Sequence, residues 1–532
     1  MKANPNRFWA IVILLGWVFD FLFWKKPLGV NFALFVILTL ATGILLLQMD
    51  GLRLARGSSL LLIPTAFVAA MTFIRLEPMT TFLSVSMVLF LMGVFALTYL
   101  SGQWTRYTIL DYILGYLRLF GSMIARPLGF ISENRRAQSS SDSKRARQVW
   151  PVLRGIVIAL PILVIFASLL SAADPIFARR LRDIIDLFNI ENLPEYIFRL
   201  VYILVIAYAL AGTYLHAAQK SSEVAGEKIR VPSFLGFTES VIVLGSVVAL
   251  FAAFVIIQFQ YFFGGQANIS IEGYTYSEYA RKGFGELVAV AFFSLLLLLG
   301  LGAITRRETA TQRRIFSNLG VILVGLVIVM LISAYQRLVL YEAAYGFSRL
   351  RTYTHVFMIW LGLLLMAVVV LEMIRRERKV GLAMLLAALG FIVSLGLLNV
   401  DAFIVERNIQ REVTRVEENT STQSGVTLDA QYFLDLSDDA VPPLVSAYQD
   451  ESLPDPVREE VGASLACIRY TRDQDEREIP WQSFHFSRYV ADQALEEVNQ
   501  DLDAYQINDK DLPVIVKTPG GQEFSCWQYY YD

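Results

Sequence analysis

Eleven apolar runs leave this chain few ways to fold. A helix needs roughly 20 such residues to cross a hydrocarbon core of about 30 Å. The runs lie at 8–24, 30–48, 59–74, 79–100, 151–171, 197–216, 240–263, 286–304, 318–340, 353–374 and 381–399. The third is short and carries Pro64. Of the 532 residues 55% are hydrophobic, above the roughly 45–50% of soluble domains. The fold class is therefore mainly α: a polytopic transmembrane bundle of about eleven spans. The first run, "FWAIVILLGWVFDFLFW", is bulky and lacks a small-residue cleavage site, so it reads as a retained anchor rather than a signal peptide.

The net charge of −2 hides two halves of opposite sign. Residues 401–532 hold 27 acids and 10 bases, and the rest holds 21 acids and 36 bases. With the N-terminus inside, the inside loops hold 23 Lys and Arg and the outside loops 10. That bias sets the N-terminus in the cytoplasm and, with an odd number of spans, the acidic tail outside. The only cysteines, Cys467 and Cys526, both lie in that tail. A pair confined to an exported segment reads as a disulfide, with two unrelated free thiols as the alternative.

Four regions follow: 1–100, the first four spans; 101–150, a cytoplasmic interfacial helix and basic loop; 151–400, seven further spans; and 401–532, an acidic extracytoplasmic domain. In the second, "ILDYILGYLRLFGSMIARPLGF" has helical spacing and "SENRRAQSSSDSKRARQ" reads as a disordered basic loop. The loop either holds anionic lipid at the cytoplasmic face or only enforces topology. In 171–196, Asp174 before Pro175 caps an amphipathic helix with Ile176, Phe177, Leu181, Ile184, Ile185 and Phe188 on one face. The tail reads as a small α-helical domain. It ends in a β-hairpin whose arms flank Pro-Gly-Gly in "LPVIVKTPGGQEFSCWQYYYD".

No phosphate-binding loop, dinucleotide fingerprint or nucleophile elbow is present. Three histidines without a helical His/Glu pair offer no zinc or di-iron site, so neither metal nor cofactor is expected. The acidic soluble part argues against nucleic acid. The span middles are almost free of ionisable groups, which lowers the case for an ion-coupled transporter.

Charges gather instead in "YEAAYGFSRLRTYTH", 341–355, between two spans. Arg337, Glu342, Arg349, Arg351 and His355, with Asp174 and Arg179 of the 171–196 loop, form the candidate site for a ligand or partner. Two arginines suit a phosphate or carboxylate held in bidentate fashion. Equally, Glu342 pairs with Arg349 or Arg351 and merely locks the turn, or the tail itself is the anion they dock.

The phrases "LLGWVFDFLFWKKPLGVNFALFV", "SAADPIFARRL", "YEAAYGFSRLRTYTH" and "LDLSDDAVPPLV" together resemble a bacterial family of multispanning membrane proteins. It is known only as a domain of unknown function (4173, related to 4153). The resemblance runs from the first span into the tail and implies a protein of the bacterial cytoplasmic membrane. It brings no activity and no site residue. The leading expectation is a non-enzymatic envelope binding or scaffold protein with an extracytoplasmic protein or anionic ligand as partner. The second is a membrane enzyme acting on a lipid-linked or anionic substrate at the outer surface, with Asp174, Glu342 or His355 as acid or base. The third is a transporter.

Overall fold

The apolar runs fold as helices because a backbone without water must bond to itself. The computed structural model describes residues 4–138, 166–187, 192–219, 234–262, 284–417, 428–475, 478–510 and 513–526, with a few positions between 155 and 163. Ten helices among them are long and apolar enough to cross a membrane. They are Pro5–Phe23, Val30–Met49, Arg56–Ile74, Pro78–Thr98, Leu193–Ala217, Phe237–Gln258, Gly285–Ile304, Ala310–Tyr345, Arg349–Met373 and Glu377–Leu398. Each matches an expected run. The eleventh, 151–171, falls largely outside the described residues, as does the basic stretch after Gln138. In the third span the helix breaks at Leu60 and Leu61 and restarts at Leu62, so Pro64 stands in a first turn, where its missing N–H costs nothing.

One expectation needs correcting. The helix of the second region runs over Ile109–Gln138 and so takes in all of "SENRRAQ", the start of the stretch expected as a disordered basic loop. Glu133, Arg135 and Arg136 are adequate helix formers and extend a helix already nucleated upstream.

The chain divides into two compact units. The first comprises Met1–Trp24, Leu38–Arg53 and Tyr116–Gln219. In it the Pro5–Phe23 and Leu193–Ala217 helices meet so closely that a Cβ on Gly16 would lie 2.6 Å from the Ile203 carbonyl oxygen. Asp20, buried, accepts from Arg199 Nε (3.0 Å), Arg199 Nη2 (2.5 Å) and the Tyr202 hydroxyl (2.6 Å). That pairing satisfies a carboxylate which alone would be costly at this depth. The amphipathic helix of the 171–196 loop spans Pro175–Leu187, with Asp174 Oδ1 accepting from Ile176 N at 2.7 Å as an N-cap.

The second unit comprises Lys25–Ile37, Leu54–Gly115 and Lys220–Asp532. Its spans pack around Leu323, Val327, Ala334, Leu338, Met358, Leu361 and Leu365. The Ala310–Tyr345 helix has 36 residues, about 54 Å at 1.5 Å per residue, so it overruns the apolar core. Thr309 and Gln312 close its start as a reciprocal capping box.

The tail follows directly. Asn399, at φ +51°, interrupts the last span and Val400–Glu417 begins the next helix. The Val441–Gln449, Asp455–Asp473 and Phe486–Glu497 helices enclose a separate core around Phe433, Leu444, Val461, Leu465 and Ala466. The hairpin forms from β2 (Ile515–Lys517) and β3 (Glu523–Ser525), with Val516 opposite Phe524. The turn between them carries Gly521 at φ +87°. A third strand, β1 (Gln506–Asn508), pairs antiparallel with β2, which makes the sheet order β1-β2-β3. Cys467 and Cys526 are joined by a disulfide, so the end of the hairpin is fastened to the Asp455–Asp473 helix.

Candidate functional site

The Ala310–Tyr345 helix ends on Gly346, whose φ of +78° and ψ of 177° suit only glycine. A Cβ there would also lie 2.7 Å from Asn408 Oδ1. The last carbonyls of a helix lack partners within it. Here the Arg351 guanidinium donates to the Gly346 and Tyr345 carbonyls, and Arg411 Nη1 donates to the Ala344 carbonyl at 3.1 Å. Both cations also suit the negative end of the helix dipole. Arg351 lies over the Tyr341 ring, 4.1 Å from its centre. Asn408 clamps the next peptide, accepting from Phe347 N (2.6 Å) and donating to Phe347 O (3.0 Å).

Arg349 does grip a carboxylate in bidentate fashion, and that carboxylate belongs to the same chain. Its Nε donates to Asp401 Oδ1 (2.8 Å) and its Nη2 to Asp401 Oδ2 (2.6 Å). Asp401 has no solvent exposure, and its Oδ2 also accepts from Ser437 N at 2.7 Å. The Arg349 amide donates to the Tyr432 hydroxyl at 3.0 Å. One turn on, the Tyr353 hydroxyl donates to Glu77, whose carboxylate caps the Pro78–Thr98 helix through Met79 N (2.8 Å) and Thr80 N (2.7 Å).

A second attachment uses Asp439, which accepts from Arg75 Nη1 (3.2 Å) and Leu76 N (2.9 Å). Burial pushes its carboxyl up, against the opposing pull of the Leu76 amide and Arg75. A third joins the loop before Val30 to residues 483–485. Ser483 Oγ donates to Pro27 O (2.9 Å), Val30 N donates to Phe484 O (3.0 Å), and His485 Nε2 bonds Leu28 O (2.7 Å). The tail is thus tied to span ends at three places.

Glu342 is buried and lies against His355, with Oε1 and Nδ1 3.4 Å apart in a geometry that makes no hydrogen bond. Among the described residues neither Glu342 Oε1 nor His355 Nε2 has a hydrogen-bond partner. The Tyr335 ring is tilted against the imidazole, with centres 4.5 Å apart. Arg337 is half-buried on the same helix as Glu342. Asp174 and Arg179 are exposed residues of the first unit.

Within the tail a cleft of about 670 Å³ is lined by Leu436, Asp438, Ile468, Arg472, Arg488 and Cys526 among others. Its charges are spent on one another: Arg472 Nη2 and Arg488 Nε meet the two oxygens of Asp438 at 2.6 and 3.2 Å. Among the described residues no group of three or more His, Cys, Asp or Glu is placed to hold a metal ion.

The partners Glu77, Asn408, Tyr432 and Asp439 escaped sequence reasoning, and Asp401 was legible only as a charge at the same outer level as the 341–355 stretch, not as the partner of Arg349. One signal existed for Asp401, a carboxylate placed immediately after a span, where solvation alone is a poor explanation. A model for a domain of unknown function (DUF4153) matches residues 62–447. That match is to the 4153 domain, and it starts in the third span rather than the first. No curated protein and no solved structure matches the chain.

Proposed function

The chain belongs to the DUF4153 family, and we propose that it is a non-enzymatic binding or scaffold protein of the bacterial cell envelope. The N-terminus lies inside, the tail outside, and the anionic lipid of the cytoplasmic face meets the basic stretch after Gln138. The 401–532 domain presents its acidic surface to an extracytoplasmic protein or ligand. One observation carries this reading. The arginines around Gly346 that would grip a substrate are engaged by their own chain, Arg349 on Asp401 of the tail and Arg351 on helix-end carbonyls. An arginine whose fork is filled by its own chain offers little to an anion. The exposed carboxylates of the tail, such as Asp455 and Asp503, remain at the surface.

A membrane enzyme acting on a lipid-linked or anionic substrate is the second reading, and the Glu342–His355 pair favours it. A buried carboxylate and imidazole with unfilled hydrogen-bonding capacity make an acid–base couple in search of a substrate. Complementation of a deletion strain separates the two. As a scaffold, the protein tolerates Glu342→Gln with His355→Gln and loses function with Asp401→Asn, which frees the tail. Loss of complementation by the Glu342 and His355 pair, with the tail still protease-resistant, overturns the scaffold reading in favour of the enzyme.

A further inference from the structure

The segment "IPWQSFHFSRY", residues 479–489, is inside out. Gln482 and Ser483 are 4% and 3% exposed, and His485 and Ser487 are also buried. Trp481 is 58% exposed and Phe486 48%, and Ile479, Phe484 and Tyr489 stand at the surface with them. A soluble domain does the reverse, since a large apolar side chain left in water forgoes the gain of its burial. Ser483 and His485 are inside because they bind Pro27 and Leu28 of the loop between the first two spans, and Val30 N donates to the Phe484 carbonyl between them. Gly29 permits the approach: a Cβ there would lie 2.7 Å from the Ser483 carbonyl carbon.

That attachment also sets a depth. Val30 is the first residue of the Val30–Met49 span, and its amide donates to Phe484 O. The start of a span lies at the edge of the hydrocarbon. Aromatic side chains held there stand at head-group level, where Trp and Tyr are enriched and an apolar face can sink roughly 5–10 Å. Leu28, exposed on the facing loop, continues the same apolar surface.

We propose that Ile479, Trp481, Phe484, Phe486 and Tyr489 form a foot that seats the tail domain in the bilayer interface, on the leaflet at the loop between the first two spans. The occupant of this surface is lipid. The inference rests on Val30–Met49 crossing the membrane and is independent of whether the protein is a scaffold or an enzyme.

Depth-dependent quenching tests this. Trp481→Cys and Phe486→Cys, each carrying an environment-sensitive fluorophore, are placed in phosphatidylcholine vesicles containing a lipid spin-labelled near the head group. Asp455→Cys serves as the water-facing control, since that side chain is 91% exposed. The foot predicts about twofold lower emission at positions 481 and 486 with no change at 455. The melting temperature of each labelled protein, read alongside, confirms that the tail is folded. Equal emission at all three positions in the folded proteins overturns the proposal. So does protection of 481 and 486 that arises only by crosslinking to a second copy of the chain, which would make the face a dimer surface.

Discussion

At the level of single side chains, a carboxylate without solvent contact governs how the tail is attached. Asp401 is held by the fork of Arg349 and by Ser437 N, so removal of the arginine leaves a buried charge with one donor. Breaking such a pair costs about 3 kcal/mol, the low end of the usual range because Arg349 is itself partly exposed. Arg349→Gln is therefore expected to lower the melting temperature in detergent and to speed proteolysis of the tail. Arg351→Gln, which loses carbonyl and ring contacts only, changes both less. Equal effects of the two substitutions would show that the Asp401 pair is not the fastening. His485 supplies a pH dependence. Burial holds its imidazole below the usual 6.5, and Arg488 pushes the same way, against the Leu28 carbonyl, Asp438 and Asp439. With the folded value the lower one, the released tail takes up the proton first. Stability present above about pH 6.5 is then lost as the pH falls. Proteolysis of the tail is expected to accelerate on going from about pH 7.5 to 5.5, and His485→Gln to flatten that slope. A profile unchanged by the substitution would assign the dependence to another group.

At the level of elements, the turn at Gly346 joins three features that a sequence treats separately: the end of one span, the start of the next and the first helix of the tail. Its backbone conformation is open only to glycine, and its Cα faces Asn408. Gly346→Ala is expected to cost roughly 1–3 kcal/mol through backbone strain alone and to pull Asn408 away from Phe347. A melting temperature within experimental error of the wild type would mean that the turn relaxes freely. The hairpin shows how much an element's sequence discloses. Its two arms were readable from β-branched residues around Pro-Gly-Gly, yet β1 was not. "QIN" is too short and too polar to announce a strand, and it becomes one because β2 offers it an open edge. In the same way the Ile109–Gln138 helix passes the point where hydropathy ends, since helix propagation does not require an apolar face.

For the whole molecule, the expected arrangement of N-terminus and tail on opposite sides of the membrane is tested by reporter fusions at residue 145 and at the C-terminus. Opposite sides are the expected outcome, and two cytoplasmic signals would mean an even number of spans. The positions of the ten described spans and the separate acidic tail follow from the sequence alone, while of the two readings it left for Cys467 and Cys526 the structure has the disulfide. Spans and tail depend on run length and composition, which are local properties that the bilayer acts on directly. The partners of the polar residues do not follow from it. Arg349 and Asp401 are 52 residues apart, Arg75 and Asp439 364, and Ser483 and Pro27 456. Nothing local distinguishes an arginine awaiting a ligand from one that binds its own chain. Only the packed tertiary structure decided it, because a buried charge takes whichever partner the packing of distant segments brings within reach.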